Sequence, residues 1–378
     1  MGDQFPSPSE YLKEWPLRPD VVHLDHGSCG GCPRMIMNAQ RKISDEIEKC
    51  PHDWFAKNFA SGIRTAKESL AGFSNADIRG LALTQGTTQG LNVAAFSQTF
   101  NPGDELLITD HAYSSALMVL QQIAERVKCR VVIAQVPFPV HDSDEVVQNI
   151  LSHVTPRTKF AIIDHIPSRT GVIFPIKRIV AELDSRGIVT LVDGAHGPGQ
   201  IEVDLRDINA PYYVASLHKW ISAYIRTQFE HDFDWMGTFD PSTYLCLPTI
   251  VEFLSTICPG GHAGLVQRNH QVALEARQII HRELRIPPAC PDDMLGSMVT
   301  MPLPDTVGSE SSQGTLPLQK HLMDHARIEI QVYNWPKYPK RVLRFSIQAH
   351  NSLDQIEYLA RQLKAALEAE RKDLMGTH

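Results

Sequence analysis

Lys219 lies at the end of a mostly apolar run, "YYVASLHKW" (212–220), which predicts a buried strand that stops before His218. Lysine is costly to bury without a partner. When desolvation lowers its pKa, however, a lysine becomes a nucleophilic amine that can form a Schiff base with a carbonyl compound. The structural alternative is a lysine that extends its charge to the surface, so Lys219 needs partners before it indicates chemistry.

Two further segments supply such partners. Asp193 ends the apolar run in "LVDGAHGPG" (191–199), where its carboxylate could face a cationic ring nitrogen or cap a turn. Pyridoxal phosphate needs this combination, a lysine Schiff base at one end and a carboxylate at the pyridinium nitrogen. "TQGTTQGLN" (84–92) predicts a strand-to-helix junction. Its backbone N–H groups and the hydroxyls of Thr87 and Thr88 could hold a phosphate, with a plain N-capped turn as the alternative.

The elements that must position these residues alternate in type from residue 80 to 217. Apolar runs of strand length are separated by segments with helical spacing, which predicts a parallel sheet covered by helices. We predict strands at 80–84, 105–110, 130–136, 159–164, 188–193 and 212–217. Ligands bind at the carboxyl ends of such strands. Polar residues gather at these ends: Gln85 to Thr88, Asp110, His111, Asp164, His165, Asp193, His196, His218 and Lys219.

From about residue 290 the chain changes character. Predicted strands at 294–304, 327–336 and 340–348 precede an amphipathic helix at 352–372, which indicates a smaller α+β domain. We predict an N-terminal arm at 1–20, a large domain at 21–260 and a small C-terminal domain at 261–378. The N-terminal segment is expected to pack on the small domain.

Composition excludes several classes of function. The chain of 378 residues has a formal net charge of −7 and no long basic block, so nucleic acid is not an expected partner. No apolar run approaches the roughly 18 residues of a membrane span, and the N-terminus lacks the apolar core of a signal peptide. We therefore expect a cytoplasmic protein.

The seven cysteines of the chain are scattered and expected to be reduced, and Cys29-Gly-Gly-Cys32 lacks the second pair of a metal site.

Several long, collinear motifs give the sequence a family resemblance from about residue 20 to 365. It resembles the fold-type I pyridoxal-phosphate enzymes of the class V aminotransferase family, and in particular the isopenicillin N epimerase-like branch. The motifs are "LDHGSCGGCP" (24–33), "TQGTTQGLN" (84–92), "PGDELLITDHAYSSAL" (102–117), "DHIPSRTGVIFP" (164–175), "LVDGAHGPG" (191–199), "SLHKW" (216–220), "WMGTFDPSTYL" (235–245) and "LRFSIQAHN" (343–351).

The resemblance implies a role for each matching residue. Lys219 would bond to pyridoxal phosphate and move the α-proton, Asp193 would pair with the ring nitrogen, and His111 would stack on the ring. His196 would lie near the ring hydroxyl, with Ser168 nearby. The residues expected around the phosphate are Gly86, Thr87, Thr88, Ser216 and His218. Thr238 would reach the phosphate site of a partner subunit, which implies a homodimer. On the substrate side, Arg344 would hold an α-carboxylate, and the loop that carries His26 and Ser28 would line the mouth.

Three hypotheses remain for the reaction that such an enzyme would catalyse. An epimerase-like reaction at the Cα of an amino acid or amino-acid-derived substrate comes first, with His26, His165 and Tyr113 as candidates for a second base. A C–S lyase reaction on a cysteine derivative is the alternative. A persulfide-forming desulfurase is disfavoured, because no cysteine lies between Cys290 and Arg344. The third hypothesis is a non-catalytic homologue. The observation that suggests it is the short segment 221–234, from which an antiparallel strand after Lys219 is expected to be missing.

Overall fold

The computed structural model of the protein describes residues 4–221, 240–306 and 316–376, with the side chains of the last helix described to residue 371. Within these residues a parallel sheet forms the centre, with strands in the order β3-β2-β4-β5-β6. The strands are β2 (Glu105–Thr109), β3 (Arg130–Ala134), β4 (Thr158–Asp164), β5 (Val189–Asp193) and β6 (Tyr212–Val214). A two-residue strand, β1 (Val22–His23), precedes them. The predicted α/β fold with a mostly parallel sheet is confirmed.

Helices alternate with these strands and cover both faces of the sheet. The central strands are apolar on both sides, as a parallel sheet buried under helices requires; all five residues of β2 are buried. The helices of this part are α1 (Arg34–Lys49), α2 (Pro51–Trp54), α3 (Ala60–Ser74), α4 (Thr87–Phe96), α5 (Ser114–Val127), α6 (Ser143–Ser152), α7 (Ile176–Asp184) and α8 (Leu205–Ile208). A π-helical turn, Phe55–Phe59, joins α2 to α3.

Two predicted strands differ from the structure. The strand expected at 212–217 ends at Val214, and residues 81–84 form no strand after the short helical turn Ile78–Gly80. The apolar runs are present, but a strand needs a partner for its backbone groups, and β6 pairs only with β5 among the described residues. The strand expected to be missing after Lys219 falls within 222–239, which lie outside the described residues.

The C-terminal part contains a second, antiparallel sheet. Its order is β7-β10-β9, with β7 at Met298–Leu303, β9 at Gln331–Asn334 and β10 at Arg341–Ser346. The helices here are α9 (Ser242–Leu245), α10 (Leu247–Thr256), α11 (Gly261–Leu284), α12 (Pro317–Ala326) and α13 (Leu353–Gly376). Strand β1 pairs in parallel with β8 (Ile328–Glu329), so the chain just after the predicted N-terminal arm packs on this part.

One apolar core connects the two sheets. It includes Leu107 and Val192 from the parallel sheet and Leu343 and Phe345 from the antiparallel sheet. The division into an arm, a large domain to residue 260 and a small domain from 261 stays a prediction. Across the described parts of the chain, no helix is both long and apolar enough to cross a bilayer.

Gly199 provides a test of how the fold holds the lysine segment. It adopts a φ of +89°, and a Cβ there would lie 2.6 Å from the carbonyl carbon of Trp220. Gly187 has a similar φ of +70° but open space around it. We expect Gly187→Ala to lose about 1–2 kcal/mol of unfolding free energy from the left-handed backbone alone. Gly199→Ala should lose a further ~1–3 kcal/mol from overpacking. Urea unfolding of both variants measures the difference, and equal losses would contradict the packing argument.

Candidate active site

A cavity of about 410 Å³ opens at the carboxyl edge of the parallel sheet, where β4, β5 and the segment after β6 end. Most of the residues expected in the site line it: Ser28, Gly86, Thr87, Thr88, Ser168, Asp193, His196, Ser216, His218 and Lys219. His26, His111 and Arg344 do not line it. Thr238 lies outside the described residues. The sheet topology therefore brings together segments that are more than 100 residues apart in sequence.

Lys219 lies half-buried in this cavity, five residues beyond the end of β6. Its Nζ is 2.9 Å from Nε2 of His196, and the indole Nε1 of Trp220 donates to His196 Nδ1 at 3.2 Å. Burial lowers the pKa of Lys219 to about 8, against the opposite effect of the Asp193 carboxyl. A lowered pKa leaves more of the lysine as the neutral, nucleophilic amine at neutral pH.

Asp193 and Asp164 lie side by side at the ends of β5 and β4, where the two residues are register partners. Asp193 Oδ1 accepts a hydrogen bond from the Ala195 N–H at 3.0 Å. Asp164 is 3% exposed and lines the cavity, and its Oδ2 has no hydrogen-bond partner among the described residues. Burial raises the pKa of both carboxyls, and the neighbouring Asp193 raises that of Asp164 further.

Asp164 was not assigned a role from the sequence, although it ends a predicted strand as Asp193 does. The register of β4 against β5 is the signal that could have identified it, because the ends of neighbouring parallel strands meet at one edge. Tyr113, considered only as a second base, is a further cavity-lining residue whose position the motif did not indicate.

The start of helix α4 forms an anion-binding corner of the cavity. Gly86 is the N-cap of this ten-residue helix and lines the cavity with Thr87 and Thr88, so the positive end of the helix dipole lies at the cavity wall. The hydroxyls of Thr87 and Ser216 lie 2.6 Å apart there. Burial, with Lys219 nearby, lowers the pKa of His218 to about 4, so His218 is neutral at physiological pH.

Arg344 lies on β10, behind two residues of the cavity wall. Its Nη1 donates to the carbonyl oxygen of Ser168 and, at 3.1 Å, to the Ser168 hydroxyl. Its Nη2 donates to Ser28 Oγ and, at 3.1 Å, to Asp25 Oδ1. The guanidinium is thus held in a buried ion pair with Asp25. Its Nε–H is buried and makes no hydrogen bond to the described residues.

His111 is not placed at the cavity, contrary to the expectation that it stacks on a cofactor ring. Its Nε2 donates to the Val136 carbonyl oxygen at 2.9 Å, its Nδ1 lies 3.0 Å from the Thr170 hydroxyl, and its ring packs edge-on against Trp335. The turn between β2 and α5 buries His111 and directs Tyr113, which is 49% exposed, to the cavity instead.

The two histidines considered as candidates for the second base, His26 and His165, also lie behind the wall. His26 is fully buried beside Gln348, 3.2 Å from its amide nitrogen, and burial lowers the pKa of His26 to about 3. His165 Nδ1 lies 3.0 Å from the Tyr213 hydroxyl, and burial lowers the pKa of His165 to about 4. Among the second-base candidates, Tyr113 is therefore the one that lines the cavity.

The two cysteines of the "HGSCGGCP" loop occupy different environments. Cys29 is exposed and lines the cavity, whereas burial raises the pKa of the Cys32 thiol to about 12. Among the described residues, no group of three or more His, Cys, Asp or Glu side chains could hold a metal ion. Cys29 is thus part of the cavity wall.

Residues 32–224, just over half of the chain, match the family model described as aminotransferase class V. This chain belongs to the class V aminotransferase family. It is similar to isopenicillin N epimerase of Amycolatopsis lactamdurans, with 27% identity covering 92% of this chain and 96% of the relative. It is also similar to an L-cysteine desulfhydrase of Arabidopsis thaliana, with 25% identity covering 83% of this chain and 78% of the relative.

The fold has a counterpart among solved structures. A variant of C-DES with glycine covalently linked to its pyridoxal-phosphate cofactor superposes with a TM-score of 0.79. The match has 18% sequence identity and covers 93% of this chain and 98% of C-DES. As a class V family member with the fold-type I architecture, the protein is a pyridoxal-phosphate enzyme.

The residues of the cavity fit this cofactor. A helix N-terminus with two hydroxyls suits the phosphate, the carboxyls at the ends of β4 and β5 suit the ring nitrogen, and a lysine of lowered pKa suits the aldehyde. The unpartnered oxygen of Asp164 is the further sign that a polar ligand belongs here, since buried polar atoms are normally hydrogen-bonded.

The raised pKa of Asp164 gives a pH-dependent prediction for the protein without cofactor. Above the ordinary aspartate pKa the unfolded chain loses this proton first, so the folded state loses stability as pH rises toward the folded pKa. Asp164→Asn removes this loss. We expect the unfolding free energy of the variant, relative to the parent, to increase with pH by up to roughly 1.4 kcal/mol per unit across that range.

The control for this experiment is Asp324→Asn, at an exposed aspartate paired with Lys320. Thermal or urea unfolding of all three proteins from acid to mildly alkaline pH measures the effect. A stability difference between Asp164→Asn and the parent that does not change with pH would mean that Asp164 is ionised in the folded protein.

Proposed function

We propose that this class V enzyme acts at the Cα of an amino acid or amino-acid-derived substrate, in the manner of an epimerase. The observation that carries the proposal is the meeting, in one cavity, of a lysine of lowered pKa with the Asp193 carboxyl and the open N-terminus of α4. The similarity to isopenicillin N epimerase over nearly the full length of both chains supports the epimerase form.

Pyridoxal phosphate, when bound, supplies an aldehyde for amines and a ring that withdraws electrons from Cα. Asp193 would hold the ring nitrogen in its protonated form, and Asp164 beside it would keep a proton and donate a hydrogen bond. The first turn of α4 would bind the phosphate with the hydroxyls of Thr87, Thr88 and Ser216. His196 and Ser168 would lie toward the ring hydroxyl, and Tyr113 would cover the ring face in place of His111.

On the substrate side, Lys219 would accept and return the α-proton, because a half-buried amine with a pKa of about 8 can act as base and acid near neutrality. Ser28 and Ser168 would contact the α-carboxylate, with Arg344 behind them supplying the positive charge. An epimerase also needs proton return on the opposite face of Cα. Tyr113, which lines the cavity, is the candidate for that step.

A C–S lyase reaction on a cysteine derivative is the second candidate. The similarity to an L-cysteine desulfhydrase favours it, and β-elimination requires no base beyond Lys219.

Three further expectations are also proposals: a homodimer in which Thr238 reaches the partner's phosphate site, a cytoplasmic location, and the domain boundary near residue 260. The dimer agrees with the exposed apolar residues Val93 and Phe96 on α4, the helix whose first turn lines the cavity.

The first experiment is a visible absorbance spectrum of the purified protein with pyridoxal phosphate. We expect a yellow band in the parent and no such band in Lys219→Ala. Reduction of the parent with borohydride should attach the cofactor covalently to Lys219. Lys177→Ala, which removes an exposed lysine paired with Asp207, is the matched control and should behave as the parent. A folded parent without the band would contradict the enzyme proposal and favour a non-catalytic homologue with a shortened segment 221–234.

An amino-acid screen then separates the two reactions. An epimerase exchanges the substrate α-proton in D₂O and inverts the configuration, with no loss of the side chain. A C–S lyase instead releases pyruvate and a sulfur product from a cysteine derivative. Release of pyruvate without exchange into recovered substrate would overturn the epimerase form and leave the lyase.

Arg344→Lys tests the substrate carboxylate site, with Arg341→Lys on the same strand as its control. Lysine keeps the charge but loses the planar fork, so we expect KM to rise about 10–100-fold, the equivalent of one charge-assisted hydrogen bond. Arg341 pairs with Glu370 and the Pro304 carbonyl, away from the cavity, so its variant should lose stability with KM unchanged. Equal KM values for the two variants would remove Arg344 from the substrate site.

A further inference from the structure

The environment of Lys219 contains a buried group that the proposed reaction does not use, the indole of Trp220. Trp220 is fully buried, and its Nε1 donates to His196 Nδ1 at 3.2 Å. The other ring nitrogen of His196, Nε2, lies 2.9 Å from Lys219 Nζ. The three side chains thus form a chain of two hydrogen bonds that ends at the nucleophilic amine.

The direction of each bond follows from what the groups can donate and accept. An indole N–H is a donor only, so Nδ1 of His196 must be an acceptor and carries no proton. A neutral imidazole has one proton, which must then be on Nε2, facing Lys219. An N–H cannot accept from an ammonium group, so a hydrogen bond between these atoms requires Lys219 to accept, with the lone pair of a neutral amine.

We propose that Trp220 is a positioning residue that fixes the proton of His196 on Nε2 and thereby holds Lys219 as a neutral amine. This inference deepens the proposed function, and its catalytic meaning rests on it. The two protonation states, however, are properties of the chain itself and can be measured without the cofactor. Burial favours the neutral amine as well, so the indole adds to an effect that desolvation begins.

Charged and titratable groups from several elements also face Lys219, and they act in both directions. Asp193 and Asp164, at the ends of β5 and β4, and the Cys29 thiol favour the ammonium form. Arg344 on β10 and the adjacent His218 favour the amine. None of these contacts depends on the indole N–H, so removing that one donor isolates its contribution.

Trp220→Phe is the variant that tests the proposal. It keeps a buried aromatic ring but frees His196 to carry its proton on Nδ1 and accept from a Lys219 ammonium. The readout is the rate at which trinitrobenzenesulfonate labels Lys219 in the cofactor-free protein from about pH 6 to about pH 10, quantified on the Lys219 peptide by mass spectrometry.

We expect a midpoint near pH 8 in the parent. In Trp220→Phe the midpoint should be about one unit higher, so that labelling at neutral pH is about tenfold slower. Trp15→Phe is the matched control, because Trp15 is equally buried and donates its indole N–H to the Gly31 carbonyl oxygen at 2.9 Å. Its midpoint should equal that of the parent. A midpoint in Trp220→Phe equal to that of Trp15→Phe would overturn the proposal.

A second measurement needs no change at Trp220 and so does not depend on how that variant folds. Nitrogen NMR of histidine-labelled, cofactor-free parent protein reports the tautomer of each imidazole, and His196→Gln assigns the His196 signals. We expect the proton on Nε2; a proton on Nδ1 would overturn the proposal. If both readouts are as expected but the parent forms no bond to pyridoxal phosphate, the proposed function fails and the tautomer assignment remains.

Discussion

The desolvation of Lys219 is the constraint on which the rest of the site depends. A lysine of ordinary pKa would be an ammonium at neutral pH and could not attack a carbonyl group. Burial lowers this pKa, in a segment that follows the early end of β6 at Val214. Two glycines allow that segment to be covered closely. A Cβ at Gly30 would lie 2.4 Å from the Lys219 carbonyl oxygen, and one at Gly199 would lie 2.6 Å from the backbone of Trp220.

The charges around the lysine are partly offset by neighbouring groups, as a buried site requires. Asp25 forms a buried ion pair with Arg344 behind the cavity wall. Asp164 and Asp193 lie close enough that their ionisations are linked, so the pair favours one negative charge over two. The start of α4 supplies the opposite sign at another wall of the same cavity. A ligand with an anionic group at one end and a protonated ring nitrogen at the other is complementary to this distribution.

Much of this arrangement could be predicted from the sequence, because the strong signals are local. The apolar runs that became β2, β4 and β5 end within a residue or two of their predicted bounds, and Asp193 and Lys219 were found at the ends of such runs. Residues 81–84 have the same local signal, but strand formation there depends on a neighbour. His111 and Tyr113 differ by two positions in one turn, and which of them faces the cavity depends on packing against Trp335, more than 200 residues away. Such contacts leave no local pattern.

The difference between residues placed by strands and residues placed by loops also separates the chemistry common to the family from the chemistry that makes one reaction specific. The Asp164–Asp193 pair lies at the sheet edge, where the register of β4 against β5 fixes it, and Lys219 and the start of α4 line the cavity beside it. Ser28, Cys29 and Tyr113, which also line the cavity, lie in loops and turns. In the proposed reaction, loss of the α-proton would require only Lys219 and the Asp164–Asp193 pair. Whether a proton then returns to the other face or a leaving group departs would depend on the loop residues, so loop variation could change the reaction while the sheet edge stays constant.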